Sequence, residues 1–212
     1  MLETFEPLTS CPGILHAFLT RVPGIDVDCG KEEALERLRP SHEEAIRQVG
    51  LAGYPLALAE QVHGNQVAVA RAGITVPGAD GLVTDRSGIC LGIYVADCAA
   101  VFLVDRTRRT IGLVHSGRKG TESGIVGQAV RLMTEEFGSR PKDLLAVISP
   151  CIRPPHYEVD FARSIRSQLH TCGIQDVVDT GRCTASQPER YYSYRRESGR
   201  TGRMLALLAI TK

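Results

Sequence analysis

The chain has 212 residues, 23% of them Asp, Glu, Lys or Arg, which predicts one globular domain over residues 1–212 with a sizeable core. Its 25 basic and 24 acidic residues leave a formal charge of +1, so no strong positive field exists to attract nucleic acid. The apolar runs are far shorter than the roughly 20 residues that cross a bilayer, which excludes a transmembrane protein.

Other features of the composition concern the compartment and the kind of site. The N-terminus has no cationic start followed by an apolar stretch, so it lacks a secretory signal and we expect a cytoplasmic protein. The seven cysteines include no Cys-x-x-Cys pair, which argues against a disulfide scaffold. Tryptophan is absent and aromatic residues make up 5% of the chain, too few for a single-strand binding platform.

The first predicted helix follows Pro40. Ser41 is a typical N-cap residue, and Glu43 and Glu44 give the first turn the negative charge that favours a helix N-terminus. The charged composition of this segment predicts a short helix on the surface.

Beyond Gln66 the pattern changes to short apolar runs that are rich in Val and Ile, the residues typical of strands. Several of these runs lack polar alternation, which predicts strands buried on both faces. The predicted strands cover residues 67–70, 91–95, 101–104, 111–114 and 145–148.

Two helices are predicted in the second half of the chain. Over residues 124–137, apolar side chains recur at spacings of three and four from Val126 to Phe137 and form one stripe. A second helix is expected at residues 161–172, before a final apolar run that begins at Met204. Because strands outnumber helices, we predict an α/β fold, a mixed-sheet sandwich with helices packed on the sheet.

Three residues of types that bind metals lie at the ends of predicted elements: His63, Cys98 and His115. Zinc in enzymes usually has three protein ligands of this kind and one position left for water or substrate. The separations match no zinc-finger spacing, and an isolated cysteine between apolar runs is more often core filling. The residues alone therefore leave metal ligation and core packing both open.

Two segments are rich in glycine and cations. Residues 116–124 contain Arg118 and Lys119 directly before a predicted helix, and residues 194–203 contain four arginines. Exposed backbone N–H groups at a helix N-terminus favour an anion. The alternative is that both are ordinary surface loops whose cations are solvated or pair with acidic residues.

Eight short motifs, taken together and in order, resemble those of the YfiH or laccase-domain family, once called multicopper polyphenol oxidases. The resemblance runs from about His16 to the C-terminus. The motifs are Gln61-Val-His-Gly64, Ala79-Asp-Gly-Leu-Val-Thr84, Ala96-Asp-Cys98, Ile111-Gly-Leu-Val-His-Ser-Gly117, Pro150-Cys-Ile152, Tyr157-Glu-Val159, Ser193-Tyr-Arg-Arg196 and Thr201-Gly-Arg203.

This resemblance implies that His63, Cys98 and His115 bind a catalytic zinc ion, Zn2+. It also implies a sandwich fold related to bacterial cysteine deamidases. The implied activity is a purine nucleoside phosphorylase that acts on adenosine, inosine and related nucleosides, with adenosine deaminase activity in the same site. The expected partners are a purine nucleoside and inorganic phosphate, without nucleic acid or membrane, and both a monomer and a homodimer stay open.

Roles for further residues follow from this chemistry. Lys119, Arg21 and Arg195 are assigned to phosphate, because one well-placed preorganised charge stabilises a transition state by roughly 2.7 to 4 kcal/mol. Gln61 and Asp97 flank two of the ligands and are assigned to ligand support or proton transfer. For Asp97, capping of a strand end is an equal alternative.

The chain also departs from the family pattern. The family usually reads His-Ala-Gly-Trp-Arg-Gly where Arg118 and Lys119 here replace Trp and Arg, which keeps a cation and loses the planar fork. The usual Gly- and Asn-containing stretch is missing after Arg21, and His42 stands where an arginine is expected at the head of a helix. These departures leave a narrowed, altered or lost activity open.

Three other functions remain as alternatives. Two histidines and a cysteine can bind copper, Cu2+, which would make the protein a copper-dependent oxidase of phenols. A multicopper oxidase, however, takes around ten histidines, and this chain has six. Cys98 could instead be the nucleophile of a metal-free hydrolase, with His115 as its base. The third alternative is a catalytically inactive nucleoside-binding protein.

Overall fold

The computed structural model describes residues 2–212, in which twelve strands form two mixed sheets and five α-helices pack around them. The strands are β1 Leu2–Glu3, β2 Ile14–Leu19, β3 Leu56–Ala59, β4 Val67–Val69, β5 Thr75–Val76, β6 Gly81–Thr84, β7 Cys90–Val95, β8 Ala99–Asp105, β9 Thr110–Ser116, β10 Leu144–Ile148, β11 Asp176–Asp179 and β12 Met204–Ile210. The helices are α1 Glu6–Thr9, α2 Lys31–Gln48, α3 Arg118–Glu122, α4 Ile125–Phe137 and α5 Phe161–Thr171.

Each sheet combines antiparallel and parallel pairs. The first sheet has the order β1-β2-β12-β7-β3-β5, with parallel pairs β7–β3 and β3–β5. The second has the order β11-β10-β8-β9-β6-β4, with parallel pairs at its two edges. The central pairs β10–β8, β8–β9 and β9–β6 are antiparallel.

The main core fills the space between the two sheets. Phe18 and Leu91 enter it from the first sheet and Phe102 from the second, and all three are fully buried. On β8 the neighbours of Phe102 point the opposite way, because side chains alternate along a strand. Val101 and Leu103 therefore belong to a second core under α4 and α5.

A smaller third core completes the layers. Leu19 and Leu207 lie on the outer face of the first sheet, where Ala45 and Ile46 of α2 pack against them. The order of layers is helix, sheet, sheet, helix. The predicted mixed α/β sandwich with helices packed on the sheets is confirmed.

All five predicted strands are present as β4, β7, β8, β9 and β10, and the final apolar run is strand β12. Four of these strands, β8, β9, β10 and β12, are buried along their whole length. Strands β1, β2, β3, β5, β6 and β11 were not predicted. Most of these strands are short or lie at sheet edges. Such strands contain few apolar residues, so the sequence pattern that predicts a strand is weak there.

The helix predicted after Pro40 is present on the surface, but its predicted start and its short length are wrong. Helix α2 begins at Lys31, continues through Pro40 and ends at Gln48. A proline inside a helix removes one backbone hydrogen bond. Here Leu38 and His42 are buried on either side of it, and this burial holds the two turns together.

The other helices match their predictions more closely. Helix α4 begins after Gly124, whose φ of 74° breaks the chain from the preceding helix α3, so part of the predicted cationic loop is helical. Helix α5 begins after Asp160, whose side chain accepts a hydrogen bond from the Arg163 N–H. No helix within residues 2–212 combines the length and apolar content that a bilayer crossing requires.

Candidate active site

His63, Cys98 and His115 meet at one end of the second sheet. Cys98 directly precedes β8, His115 lies near the end of β9, and the antiparallel register pairs Ala99 with Ser116. This register brings Cys98 to the end of β9. One ligand atom from each of the three side chains lies within 4.8 Å of the others. His115 is buried, Cys98 is half-buried and His63 is exposed, so the cluster opens to solvent on one side.

The side chain of Asp80 forms hydrogen bonds that orient His115 and the backbone of His63. Its buried carboxylate accepts a hydrogen bond of 2.9 Å from His115 Nδ1, which leaves Nε2 as the free ring nitrogen. The same carboxylate accepts the backbone N–H groups of His63, at 2.9 Å, and Gly64, at 2.8 Å. Burial alone would raise the pKa of Asp80, but these hydrogen bonds outweigh it and hold the pKa below its ordinary value.

Asp80 is a functional residue that the sequence did not reveal. The sequence feature that could have identified Asp80 is its position: its carboxylate directly precedes the run 81–84 inside a family motif. An acidic residue at the start of a buried strand needs hydrogen-bond partners, and here they are the metal-type residues themselves. Such a carboxylate behind a histidine is the usual support of metal-binding imidazoles.

Gly117 makes room for the thiol. A Cβ at this position would collide with Cys98 Sγ. A residue with a side chain would therefore push the sulfur away from the two imidazoles. This close approach explains the glycine that follows His115 and Ser116 in the chain.

Left-handed backbone conformations concentrate at the site. Within residues 2–212, five non-glycine residues have positive φ, and three of them are Gln61, at 66°, His63, at 61°, and Asp97, at 83°. Such conformations cost free energy and persist where surrounding contacts hold them. Here the contacts of Asp80 with the backbone of His63 supply part of that restraint.

The thiol and the imidazole titrate as a pair. Burial raises the pKa of Cys98, but the imidazoles of His115 and His63 outweigh burial and lower it to about 6. Burial likewise lowers the pKa of His115, but the Cys98 thiolate and the Asp80 carboxylate raise it to about 9. The thiolate is the form that binds metals and attacks electrophiles. The neighbouring imidazoles therefore favour the form of Cys98 that both reactions need.

The cluster lines a cavity of about 830 Å³, a volume that suits a small organic ligand. Its wall is mixed, with aromatic rings and cations facing the same space. The lining residues include Lys31, Gln61, Val62, His63, Tyr94, Asp97, Cys98, His115, Arg118, Lys119, Glu122, Tyr157, Phe161, Tyr194, Arg195 and Arg203.

Gln61 and Asp97, which flank the candidate ligands, both form hydrogen bonds that fix the backbone. The Gln61 amide donates to the carbonyl of Tyr94, at 2.5 Å, and accepts from its N–H, at 2.9 Å. The Asp97 carboxylate accepts a hydrogen bond of 2.7 Å from Thr184 Oγ1 and another of 2.7 Å from the Arg195 N–H. Both side chains therefore fix the backbone beside the candidate ligands His63 and Cys98.

Two of the three cations assigned to phosphate reach the cavity. Lys119 lines it and forms no ion pair within residues 2–212, and Arg195 lies 4.8 Å from the centre of the Tyr157 ring. Arg21 lies elsewhere: its guanidinium forms a 2.6 Å ion pair with Glu197 and does not line the cavity. Arg21 braces the C-terminal arginine-rich segment instead.

Two of the residues that depart from the family pattern, Arg118 and His42, also have definite places. Arg118 forms an ion pair of 2.9 Å with Glu122 at the cavity wall. His42 lies in the interior of α2, where it is buried and its ring stands 5.9 Å from that of Tyr94. His42 therefore supports a wall residue and does not line the cavity itself.

Comparison with known proteins gives the family. The profile described as "Multi-copper polyphenol oxidoreductase laccase" matches residues 24–162 and 158–211, almost the whole chain. The chain belongs to this laccase-domain family. Two solved structures share its fold: YlmD from Geobacillus stearothermophilus, with a TM-score of 0.83, 25% identity and coverage of 95% of this chain and 93% of that one, and YfiH from Bacillus licheniformis, with a TM-score of 0.85, 21% identity and coverage of 95% and 94%.

Relatives in the laccase-domain family carry the name of an enzyme. A protein from Deinococcus radiodurans named purine nucleoside phosphorylase is 32% identical over 97% of this chain and 94% of its own length. A second protein with that name, from Corynebacterium glutamicum, is 30% identical over 77% of this chain and 78% of its own length. The chain is thus similar along most of its length to proteins named as phosphorylases.

Proposed function

We propose that this laccase-domain protein is a zinc-dependent purine nucleoside phosphorylase. The observation that carries the proposal is the convergence of His63, Cys98 and His115 at the wall of a cavity that cationic side chains also line. The names of its relatives support the same reaction.

The donor set suits zinc. Two imidazole nitrogens and one thiolate are borderline-soft donors, and three protein ligands leave one position for a reactant. Asp80 fixes the tautomer of His115, which is the support that zinc-binding histidines usually have. When bound, zinc supplies a Lewis acid that withdraws electron density from a substrate atom.

The remaining steps fall to the residues of the cavity. In phosphorolysis a phosphate oxygen forms a bond to the anomeric carbon of ribose while the bond from that carbon to the purine nitrogen breaks. The base leaves with the bonding electron pair. We assign Lys119 and Arg195 to hold the phosphate, because both line the cavity and carry positive charge there.

We include adenosine deamination in the proposal. In that reaction water replaces the amino group of the purine ring and ammonia leaves, so the cavity has to hold the same base. Ammonia release from adenosine without phosphate is the specific sign of this second activity.

A metal-free hydrolase is the second candidate, because one observation favours it. Asp80, His115 and Cys98 form the orienting acid, base and nucleophile of a catalytic triad in the expected order. Copper, suggested by the description of the family profile, uses the same three ligands and is distinguished from zinc by metal analysis.

The test combines metal analysis with a nucleoside panel. Adenosine, inosine, guanosine and methylthioadenosine are incubated with the protein, with and without phosphate, and base and ammonia are measured. We expect one zinc ion per chain and phosphate-dependent release of base. Cys98→Ala should lose both metal and turnover.

A matched control uses another half-buried thiol. Cys172 does not line the cavity, so Cys172→Ala should keep metal and turnover. If the zinc-loaded protein releases neither base nor ammonia, the proposal fails. If the metal-free protein is active and Cys98 is rapidly alkylated, the hydrolase is correct instead.

A further inference from the structure

Arg203 is a buried cation without a carboxylate partner. It precedes β12, lines the cavity and is 9% exposed. Within residues 2–212 no carboxylate oxygen lies within ion-pair distance of its guanidinium, although most arginines of the chain have such a partner. Buried charges in proteins are normally paired, so this one requires an explanation.

Its protein contacts use only part of the guanidinium. Nη1 donates to the carbonyls of Thr201, at 2.6 Å, and Gly202, at 2.8 Å. The guanidinium carbon lies 5.9 Å from the centre of the Tyr194 ring. The N–H groups on Nε and Nη2 have no hydrogen-bond acceptor in the part of the chain that the structure describes.

The acidic residues around Arg203 already have other partners. Asp97 accepts hydrogen bonds from Thr184 and the Arg195 N–H. Glu197 binds the Arg21 guanidinium, and it also accepts hydrogen bonds from the backbone of residue 193 and the hydroxyl of residue 201. These carboxylates influence Arg203 only through space, while burial lowers its pKa from the ordinary value.

The segment that carries Arg203 is held in place before any ligand binds. The carboxylate of Glu197 joins the two ends of the segment through Ser193 and Thr201. At Gly202 a Cβ would collide with the Tyr192 ring, so the backbone packs directly on that ring. A preorganised cation of this kind binds an anion without the cost of ordering a flexible side chain.

We propose that Arg203 binds a tetrahedral phosphate group inside the cavity through its unused N–H groups. The fork of arginine matches two phosphate oxygens, and Lys119, which lines the same cavity, adds a second positive charge. The inference rests on the proposed function, because it places the phosphate that the reaction consumes. The group can belong to inorganic phosphate or to a nucleoside monophosphate.

The test measures phosphate binding directly on the metal-loaded protein. Inorganic phosphate and adenosine 5′-monophosphate are titrated separately by calorimetry into the wild type and into Arg203→Gln. We expect the variant to bind at least one of them about 10- to 100-fold more weakly. The arm that shows this loss identifies the source of the phosphate group.

The control is an arginine from the same segment. Arg200 is exposed and pairs with Asp28, so Arg200→Gln should bind both probes as the wild type does. Metal content should stay the same in all variants. If the inorganic phosphate arm shows the loss, Arg203→Gln should also raise KM for phosphate in turnover and leave KM for the nucleoside unchanged.

Two results would overturn the inference. One is a folded, metal-loaded Arg203→Gln protein that binds both probes within twofold of the wild type. If that variant does not fold, Arg203→Lys decides, because a single ammonium cannot form the two-pronged contact and should weaken binding at least fivefold; equal affinity refutes the inference. If phosphate binding depends on Arg203 but the wild-type protein shows no phosphorolysis, the proposed reaction is refuted and the inference about Arg203 stands.

Discussion

At the scale of single residues, Gly117 gives the sharpest test of the proposed metal site. A methyl group there would collide with Cys98 Sγ, so Gly117→Ala must displace the sulfur. We expect zinc affinity to fall about 10- to 100-fold, measured by competition with a chromogenic chelator.

Gly30→Ala is the matched control for this substitution. Nothing lies within 4 Å of a Cβ at Gly30, and its φ of −67° accepts alanine. Its zinc affinity should equal that of the wild type. Unchanged affinity in Gly117→Ala would mean that the sulfur is not a ligand.

His16 makes folding stability depend on pH. Its Nε2 accepts a 2.8 Å hydrogen bond from the Phe5 N–H, and burial lowers its pKa from 6.5 to about 4. Between these values the unfolded chain binds a proton that the folded chain does not. The free energy of unfolding therefore falls as the pH drops from about 6.5 to 4, by at most about 1.4 kcal/mol per pH unit.

Replacement of this histidine should remove part of that slope. His16→Gln keeps an acceptor for Phe5 without a titrating ring, so urea denaturation at pH 7 and pH 5 should differ by about 1 to 2 kcal/mol less than in the wild type. His156 is exposed, and His156→Gln should keep the wild-type pH dependence. An equal slope in His16→Gln would contradict the prediction.

Residue types in their motifs predicted the candidate ligands but not their supports. His63, Cys98 and His115 could be chosen because few side chains bind metals. Asp80 and Arg203 could not, because many Asp and Arg residues lie on surfaces. Only the strand register and the burial of the C-terminal segment distinguish these two.

At the scale of elements, the helix through Pro40 makes a prediction about stability. A proline in a helix interior costs about 3 kcal/mol relative to alanine, and the stiffer unfolded chain returns roughly 0.4 to 1 kcal/mol of that. Because Pro40 is exposed, Pro40→Ala should raise the free energy of unfolding by about 2 to 2.6 kcal/mol in urea denaturation.

The neighbouring residue supplies the comparison. Arg39 is exposed, and its ion pair with Glu36 is long at 3.7 Å, so Arg39→Ala should change stability by less than about 0.5 kcal/mol. If Pro40→Ala destabilises the protein, the helix requires the bend that proline imposes.

The same helix shows where pattern reading fails among elements. Ser41 is a residue type common at helix N-caps, but the helix continues through it because Leu38 and His42 are buried on either side. Helix α4 was predicted well because its own periodic stripe specifies the buried face. Strand β2 was missed although its residues 14–19 form an apolar run.

At the scale of the whole molecule, the two sheets share one core. Phe102 is fully buried between them, so Phe102→Ala should lower the free energy of unfolding by about 3 to 5 kcal/mol. The unfolding curve should keep a single transition by fluorescence and circular dichroism, because the core that both sheets share makes them unfold as one unit.

An exposed apolar residue provides the control at this scale. Ile74 is 60% exposed, and Ile74→Ala should change stability by at most about 0.5 kcal/mol. Two separate transitions would contradict the prediction of one domain over residues 1–212, which stays a prediction until this measurement.

By itself, the sequence determined the fold class, the buried strands, the best helix and the residue types that bind metal. These depend on neighbours in the chain, since periodicity and local composition specify which side faces inward. The tertiary structure alone decided that Asp80 orients His115 and that Arg203 is a buried, unpaired charge. Both facts depend on contacts between distant segments, and no pattern along the chain records the strand register or the burial that creates them.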